Sequence, residues 1–142
     1  IKAHTQEVIN ALTGSAGLIE AAEGLAVHVG AAANSEDASA NVKLHAEHVI
    51  AGANNTAMHA KAALTHANGV MGSSSAKEAM GHVNETHVHI MEAFDGADAN
   101  KDGSISWKEG GLTSAHNHMM IMMKGEKIQM KGHVGHPMGG GK

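Results

Sequence analysis

The sequence predicts an all-α protein, an up-and-down bundle of four helices, and three observations predict it. The chain of 142 residues has no Cys and no Tyr, and only one Trp and one Phe, against 13 His, 10 Met and 18 Gly. A core without aromatics has to be built from Ala, Val, Leu, Ile and Met, which suits closely approaching helices better than strands that favour aromatic and β-branched residues. Apolar residues then recur at helical spacing through four successive segments, and the connections between those segments are short enough for antiparallel neighbours.

The first segment, residues 4 to 31, places Val8, Ala11, Leu12, Leu18, Ile19, Ala22, Ala26 and Val29 on one face, although Gly14, Gly17 and Gly24 weaken it as a helix. The second opens at Ser35-Glu-Asp, an N-cap followed by acids, and runs to Met71, with Gly72 and Ser73 to Ser75 as punctuation. Its core stripe is Val42, Val49, Ala53, Ala60, Leu64, Ala67 and Met71, and Lys43, Glu47, Asn54 and Lys61 point away. A third helix over 76 to 95 turns Met80, Val83, His87, Ile90, Met91 and Phe94 inward. A fourth starts near Trp107 and carries Leu112, Ala115, Met119 and Met123 inward. Residues 1 to 125 then form one bundle, and 126 to 142, where Gly, Lys, His and the only Pro take over, read as a flexible tail.

Between the third and fourth helices lies Asp98-Ala-Asn-Lys-Asp-Gly-Ser-Ile-Ser-Trp-Lys-Glu109. Hard Ca²⁺ needs a shell of oxygens, and side chains at positions 1, 3, 5, 9 and 12 with a carbonyl at 7 supply it when a glycine at 6 makes the turn. Here those are Asp98, Asn100, Asp102, Ser106 and Glu109, the Ser104 carbonyl, and Gly103. The stretch resembles the calcium loop of the EF-hand family, and Phe94 and Ile105 stand where that family carries its flanking apolar residues. EF-hands usually pair, and no second loop is present in the sequence. The unpaired Ile105 is therefore expected to lean on the body of the protein, on a protein partner or on a second copy.

The histidines sort by face. His45, His48, His59 and His66 flank the core stripe of the second helix, with 45, 59 and 66 in a seven-residue series whose missing member is Gly52. On the third helix His82, Glu85 and His89 lie together on the outer side, one turn beyond Glu78. Imidazoles at i+3, i+4 or i+7 can share an ion such as copper, zinc or nickel. His116 beside Met120 offers a softer pair for Cu(I), and His133, His136 and Met138 a loose site in the tail.

The run His59-Ala-Lys-Ala-Ala-Leu-Thr-His66-Ala-Asn, with the Ala-rich repeats around His45 and His48, is similar to the small metal-binding proteins, His-rich four-helix bundles of the periplasm. The likeness is clearest over 43 to 68 and weaker over 79 to 92. It implies metal buffering or delivery in the cell envelope, with Cu²⁺ or another divalent transition metal (Zn²⁺, Ni²⁺) on His45, His48, His59, His66, His82 and His89. The calcium loop and the Met-rich fourth helix lie outside that pattern.

Other classes fit poorly. The net charge is −4 with no basic cluster, so nucleic acid is not an expected partner. No uninterrupted apolar run approaches the roughly 20 residues of a membrane span. No nucleophile elbow, phosphate loop or zinc-protease signature appears, so no enzyme is expected. Haem lacks both a C-x-x-C-H attachment and aromatic walls. A chain that begins at Ile1 is compatible with removal of a secretory signal, and a lone calcium loop suits the periplasm or the extracellular space, where calcium is abundant. The competing expectation is a calcium-stabilised structural or accessory subunit of a larger extracytoplasmic assembly.

Overall fold

A computed structural model describes residues 1–128. They form five helices and, among the described residues, no strand: α1 (Lys2–Thr13), α2 (Leu18–Ala33), α3 (Ala40–Gly72), α4 (Ala76–Asp95) and α5 (Leu112–Gly125). All four expected helical segments are present, the first in two pieces. The break falls at Gly14 to Gly17, where the chain doubles back so tightly that Gly17 N–H donates to Gly14 O. A Cβ on Gly17 would lie 2.6 Å from Leu12 O, so only glycine fits there.

α3 is the axis of the molecule. Its 33 residues extend roughly 50 Å at 1.5 Å per residue, and every other helix packs against it. α1 and α2 follow one another along one side: Lys2 Nζ reaches Met71 O near the end of α3 (2.8 Å), Leu12 packs on Ala60 and Ala63, and Val29 on Ala46 and Val49. α4 and α5 follow one another along another side, from the Thr56 Oγ1 bond to Ala93 O (3.1 Å) to the Asn41 Nδ2 bond to Met122 O (3.0 Å). Two broken columns thus run antiparallel to one continuous helix.

Small residues make this possible. Ala46, Ala53, Ala57, Ala60, Ala63, Ala67, Ala79, Ala93 and Ala115 are all buried, with Leu12, Val29, Val49 and Val70 as the larger members of the core. Small side chains at a seam let helix axes approach toward the low end of the usual 8 to 10 Å. Larger residues are displaced to its flanks, and this rotates α4 away from the expected face. Its buried positions are Ala79, Thr86 and Ala93, seven residues apart. Met80, Met91 and Phe94 are 42 to 47% exposed and His87 is exposed. His82 and His89, expected on the outside, are half-buried against α3.

Three element boundaries also differ from expectation. α3 begins at Ala40 under Ser39, whose Oγ accepts from Val42 N–H (3.1 Å), because Ser35 turns instead to the carboxylate of Asp37. α5 begins at Leu112 and not near Trp107, because Gly110 and Gly111 press against neighbouring elements: a Cβ on Gly111 would meet Ala93 O at 2.4 Å. Residue 126, placed in the expected tail, is tied down, since Glu126 Oε1 accepts from Ser39 Oγ (2.5 Å) and Asn41 Nδ2 (2.9 Å). Those two donors also hold its carboxyl below the ordinary glutamate range. The rest of the expected tail, with His133, His136 and Met138, lies outside the described residues.

By length and composition alone, Lys2–Ala33 is long and apolar enough to cross a membrane, contrary to the expectation from sequence. In this fold it is split between α1 and α2, and Leu12, Ala22 and Val29 are buried.

Candidate metal sites

Among the described residues, three groups of side chains place ligand atoms within 4.8 Å of one another: His45, His48 and His118; His59, His89 and Glu92; His66, Glu85 and His89. Each draws on α3 and one facing helix. The geometry follows from the seam of small residues just described, because imidazoles on the flank of α3 meet side chains on the flank of α4 or α5 only if the backbones approach closely.

The first group joins α3 to α5. His118 Nδ1 lies 3.1 Å from His48 Nδ1 and 3.4 Å from His45 Nδ1. Gly52, the gap in the histidine series, is where α5 starts: a Cβ there would stand 2.8 Å from Gly111 O and 2.9 Å from Ala115 N. Trp107 closes one side, its ring centroid 4.2 Å from that of His48. Burial, then the neighbouring His48 and His45, push the His118 imidazole below its ordinary range, so it favours the neutral form that binds metal. Three convergent neutral imidazoles are a nitrogen site suited to zinc or copper.

The other two groups lie along the seam of α3 and α4. Glu92 Oε2 is 2.7 Å from His89 Nδ1 and 3.0 Å from His59 Nδ1. Two turns along, His66 Nδ1 is 3.3 Å from His82 Nδ1, and the His66 and His89 rings stack with centroids 5.4 Å apart. His82 fits because Gly69 faces it, where a Cβ would come within 2.7 Å of the imidazole. These are sets of two imidazoles and one carboxylate, suited to a divalent first-row ion.

Six of the seven histidine-site residues expected from the sequence, His45, His48, His59, His66, Glu85 and His89, belong to these clusters; the seventh, His82, pairs with His66 but joins none of the three. They do not form one stripe site on α3 and one on α4; the structure brings the two helices' residues together. His118 and Glu92 were missed. His118 sits between the inward positions Ala115 and Met122 at helical spacing, and Glu92 follows His89 at i+3, so face assignment on both partner helices was the available signal. His116 and Met120 are exposed and belong to none of the three groups.

The loop from Asp98 to Glu109 winds its oxygens around its own backbone. Asp98 accepts from Asp102 N–H (3.1 Å) and Gly103 N–H (2.9 Å), Asn100 Oδ1 from Asp102 N–H (2.8 Å), and Asp102 from Ser104 N–H (2.9 Å). Glu109 closes the ring through Ser106 N–H (3.1 Å), Ser106 Oγ (2.6 Å) and Asn100 N–H (3.1 Å). Gly103 takes the positive φ of 88° that the turn requires, and Lys101 has φ of 60°. The Ser104 bonds lower the Asp102 carboxyl and the Ser106 bonds lower that of Glu109. A ring of anionic oxygens with this donor set fits a hard cation. Asp98, Asp102 and Glu109 are not among the groups of three whose ligand atoms converge within 4.8 Å, because each carboxylate is turned to a backbone amide.

The loop is clamped to α3 by Asn55, whose Nδ2 donates to Lys108 O (2.7 Å) and Gly110 O (3.0 Å). Of its apolar residues, Trp107 packs on His48 and Ile105 is 47% exposed.

No family model matches the chain, and comparison with curated proteins and with solved structures found no match.

Proposed function

We propose that this is a metal-binding protein of the cell envelope that buffers or delivers transition metal, copper foremost, at histidine sites along α3, and that it binds one Ca²⁺ in the loop from Asp98 to Glu109. The observation that carries the transition-metal reading is convergence: three groups, each built from two helices, hold their ligand atoms within 4.8 Å. Histidines scattered on a solvated face would not meet across helices in this way. The calcium reading is supported by the EF-hand-like ligand order at Asp98, Asn100, Asp102, Ser104, Ser106 and Glu109, with Gly103 at positive φ. The His-rich likeness to periplasmic small metal-binding proteins supports the envelope location and a non-enzymatic role.

Metal analysis of the chain after loading with Cu²⁺ and dialysis at neutral pH tests it. More than one copper ion per chain is expected, falling when His45, His48, His59 and His66 are replaced together. Unchanged stoichiometry in that variant overturns the reading.

A second reading is favoured by Phe94, Ile105 and Trp107, which are 42%, 47% and 36% exposed around the loop: a calcium-stabilised accessory subunit that docks a partner or a second copy there. Calcium-dependent mass in solution, lost on Ile105→Ser, supports that reading; a monomer with and without Ca²⁺ removes the second-copy form of it.

A further inference from the structure

We infer that the two groups on the α3–α4 seam are not two storage sites but two stations for a single divalent ion, with His89 passing it between them. This rests on the metal-binding reading above and concerns how the seam uses its ligands.

The seam repeats every seven residues. On α4 the glutamates stand at 78, 85 and 92 and the histidines at 82 and 89; on α3 the histidines stand at 59 and 66. Because the helices are antiparallel, a step from His59 to His66 is matched by a step back from Glu92 to Glu85. Between the stations the α3 histidine and the α4 glutamate thus change by two turns of helix, while His89 stays common to both, so the two ion positions adjoin one imidazole. Both stations claim His89. A neutral imidazole has one lone pair available, its other nitrogen carrying the proton, so His89 can serve only one ion at a time. Filling both stations together would leave one of them with two ligands, because His82, 3.3 Å from His66, belongs to no convergent group that could stand in for His89.

Equal donor sets give the stations similar affinity, two imidazoles and one negative charge at each, so neither traps the ion permanently. They differ in access. His59, Glu92 and His89 keep 14%, 29% and 24% of their side-chain surface, whereas Glu85 at the other station is exposed. His82, beside His66, lies toward Glu78 at the exposed start of α4. The station at His66 and Glu85 is thus the entrance, and that at His59 and Glu92 the inner berth. An ion held by His66, Glu85 and His89 moves inward by keeping His89 while exchanging the other two ligands, so it is never released to water.

The test uses the full chain with His45→Ala and His118→Ala, which silence the α3–α5 group, titrated with Zn²⁺ against a competing chelator so that solitary surface histidines do not count. One Zn²⁺ is expected at the seam. Adding His59→Ala or His66→Ala singly leaves one ion, held more weakly; adding both, or His89→Ala alone, leaves none. In stopped-flow uptake, Glu85→Gln slows loading of the inner berth. Two ions bound at the seam overturn the sharing while the metal-binding reading stands; no ion at the seam overturns the seam sites and the sharing with them, and leaves the wider reading to copper analysis of the unaltered chain. An uptake rate unaffected by Glu85→Gln shows that the ion does not enter past that station.

Discussion

The loop and the histidine groups are assembled in opposite ways. Asp98 to Glu109 gathers its oxygens from twelve consecutive residues, and each carboxylate already has a backbone or hydroxyl donor from the same twelve. His45 and His118 stand 73 positions apart, and nothing local holds them together; they meet because Gly52 lets Gly111 and Ala115 approach α3. A site made locally survives disturbance of the packing around it. A site made by packing is lost with that packing.

The largest effect that would break this contrast is expected at Gly52. A valine there drives its side chain into backbone atoms of Gly111 and Ala115, which cannot swing aside, and overpacking of this kind costs about 1 to 3 kcal/mol. Urea denaturation should show the loss. Copper binding by His45, His48 and His118 should disappear in the same variant while Ca²⁺ affinity stays as it was. If both bindings fall together, the loop depends on packing as much as the histidines do.

Next in size is Glu109→Gln, which removes the bidentate carboxylate and should weaken Ca²⁺ on the order of tenfold or more, read by calorimetry. Zn²⁺ affinity at the α3–α4 seam should not change. Absence of any calcium binding to the unaltered chain at millimolar concentration would sink the calcium reading altogether.

A pH series sharpens the comparison further. His118 binds its proton less tightly in the folded chain than in the unfolded one, because of burial and then of His48 and His45. The unfolded state therefore takes up more protons as pH falls through the ordinary imidazole value of about 6.5, and stability drops with it. Asp102 and Glu109 are shifted in the same direction, but below the ordinary carboxylate range, so their contribution remains until the solution is far more acidic. Thermal melting of the metal-free chain should weaken below about pH 6.5, and His118→Gln should flatten that fall.

The smallest expected effect is that of Asn55→Ala. It deletes two hydrogen bonds that join α3 to the end of the loop, at roughly 0.5 to 1.5 kcal/mol for a typical bond and less where water replaces it. Hydrogen exchange at Trp107 to Gly111 should quicken, with the exchange of α3 unchanged.

What the sequence discloses follows the same division. The connection between α4 and α5 was legible as a loop because its Asp, Asn, Gly and Ser residues are contiguous. The flank of α3 was legible too, since His45, His59 and His66 repeat every seven residues on one helix. The inward face of α4 was not, because size was taken as the sign of burial: Met80, Met91 and Phe94 outweighed Ala79, Thr86 and Ala93. In a seam of small residues that sign reverses. His118 and Glu92 were missed for the same reason, since their roles depend on which side of α5 and α4 is turned to α3. The break between α1 and α2 was signalled by Gly14 and Gly17, read as a weak point where the backbone needed a reversal.

Trp107 is the only indole in the chain, and its ring lies 4.2 Å from His48 and far along the molecule from the start of α4. Its emission is therefore a private reporter for one end of α3. A paramagnetic Cu²⁺ ion at His45, His48 and His118 should quench it at contact range, while the same ion resting near His66 should leave it almost bright. Filling of the two halves of the molecule can thus be told apart in a single cuvette, with no label attached.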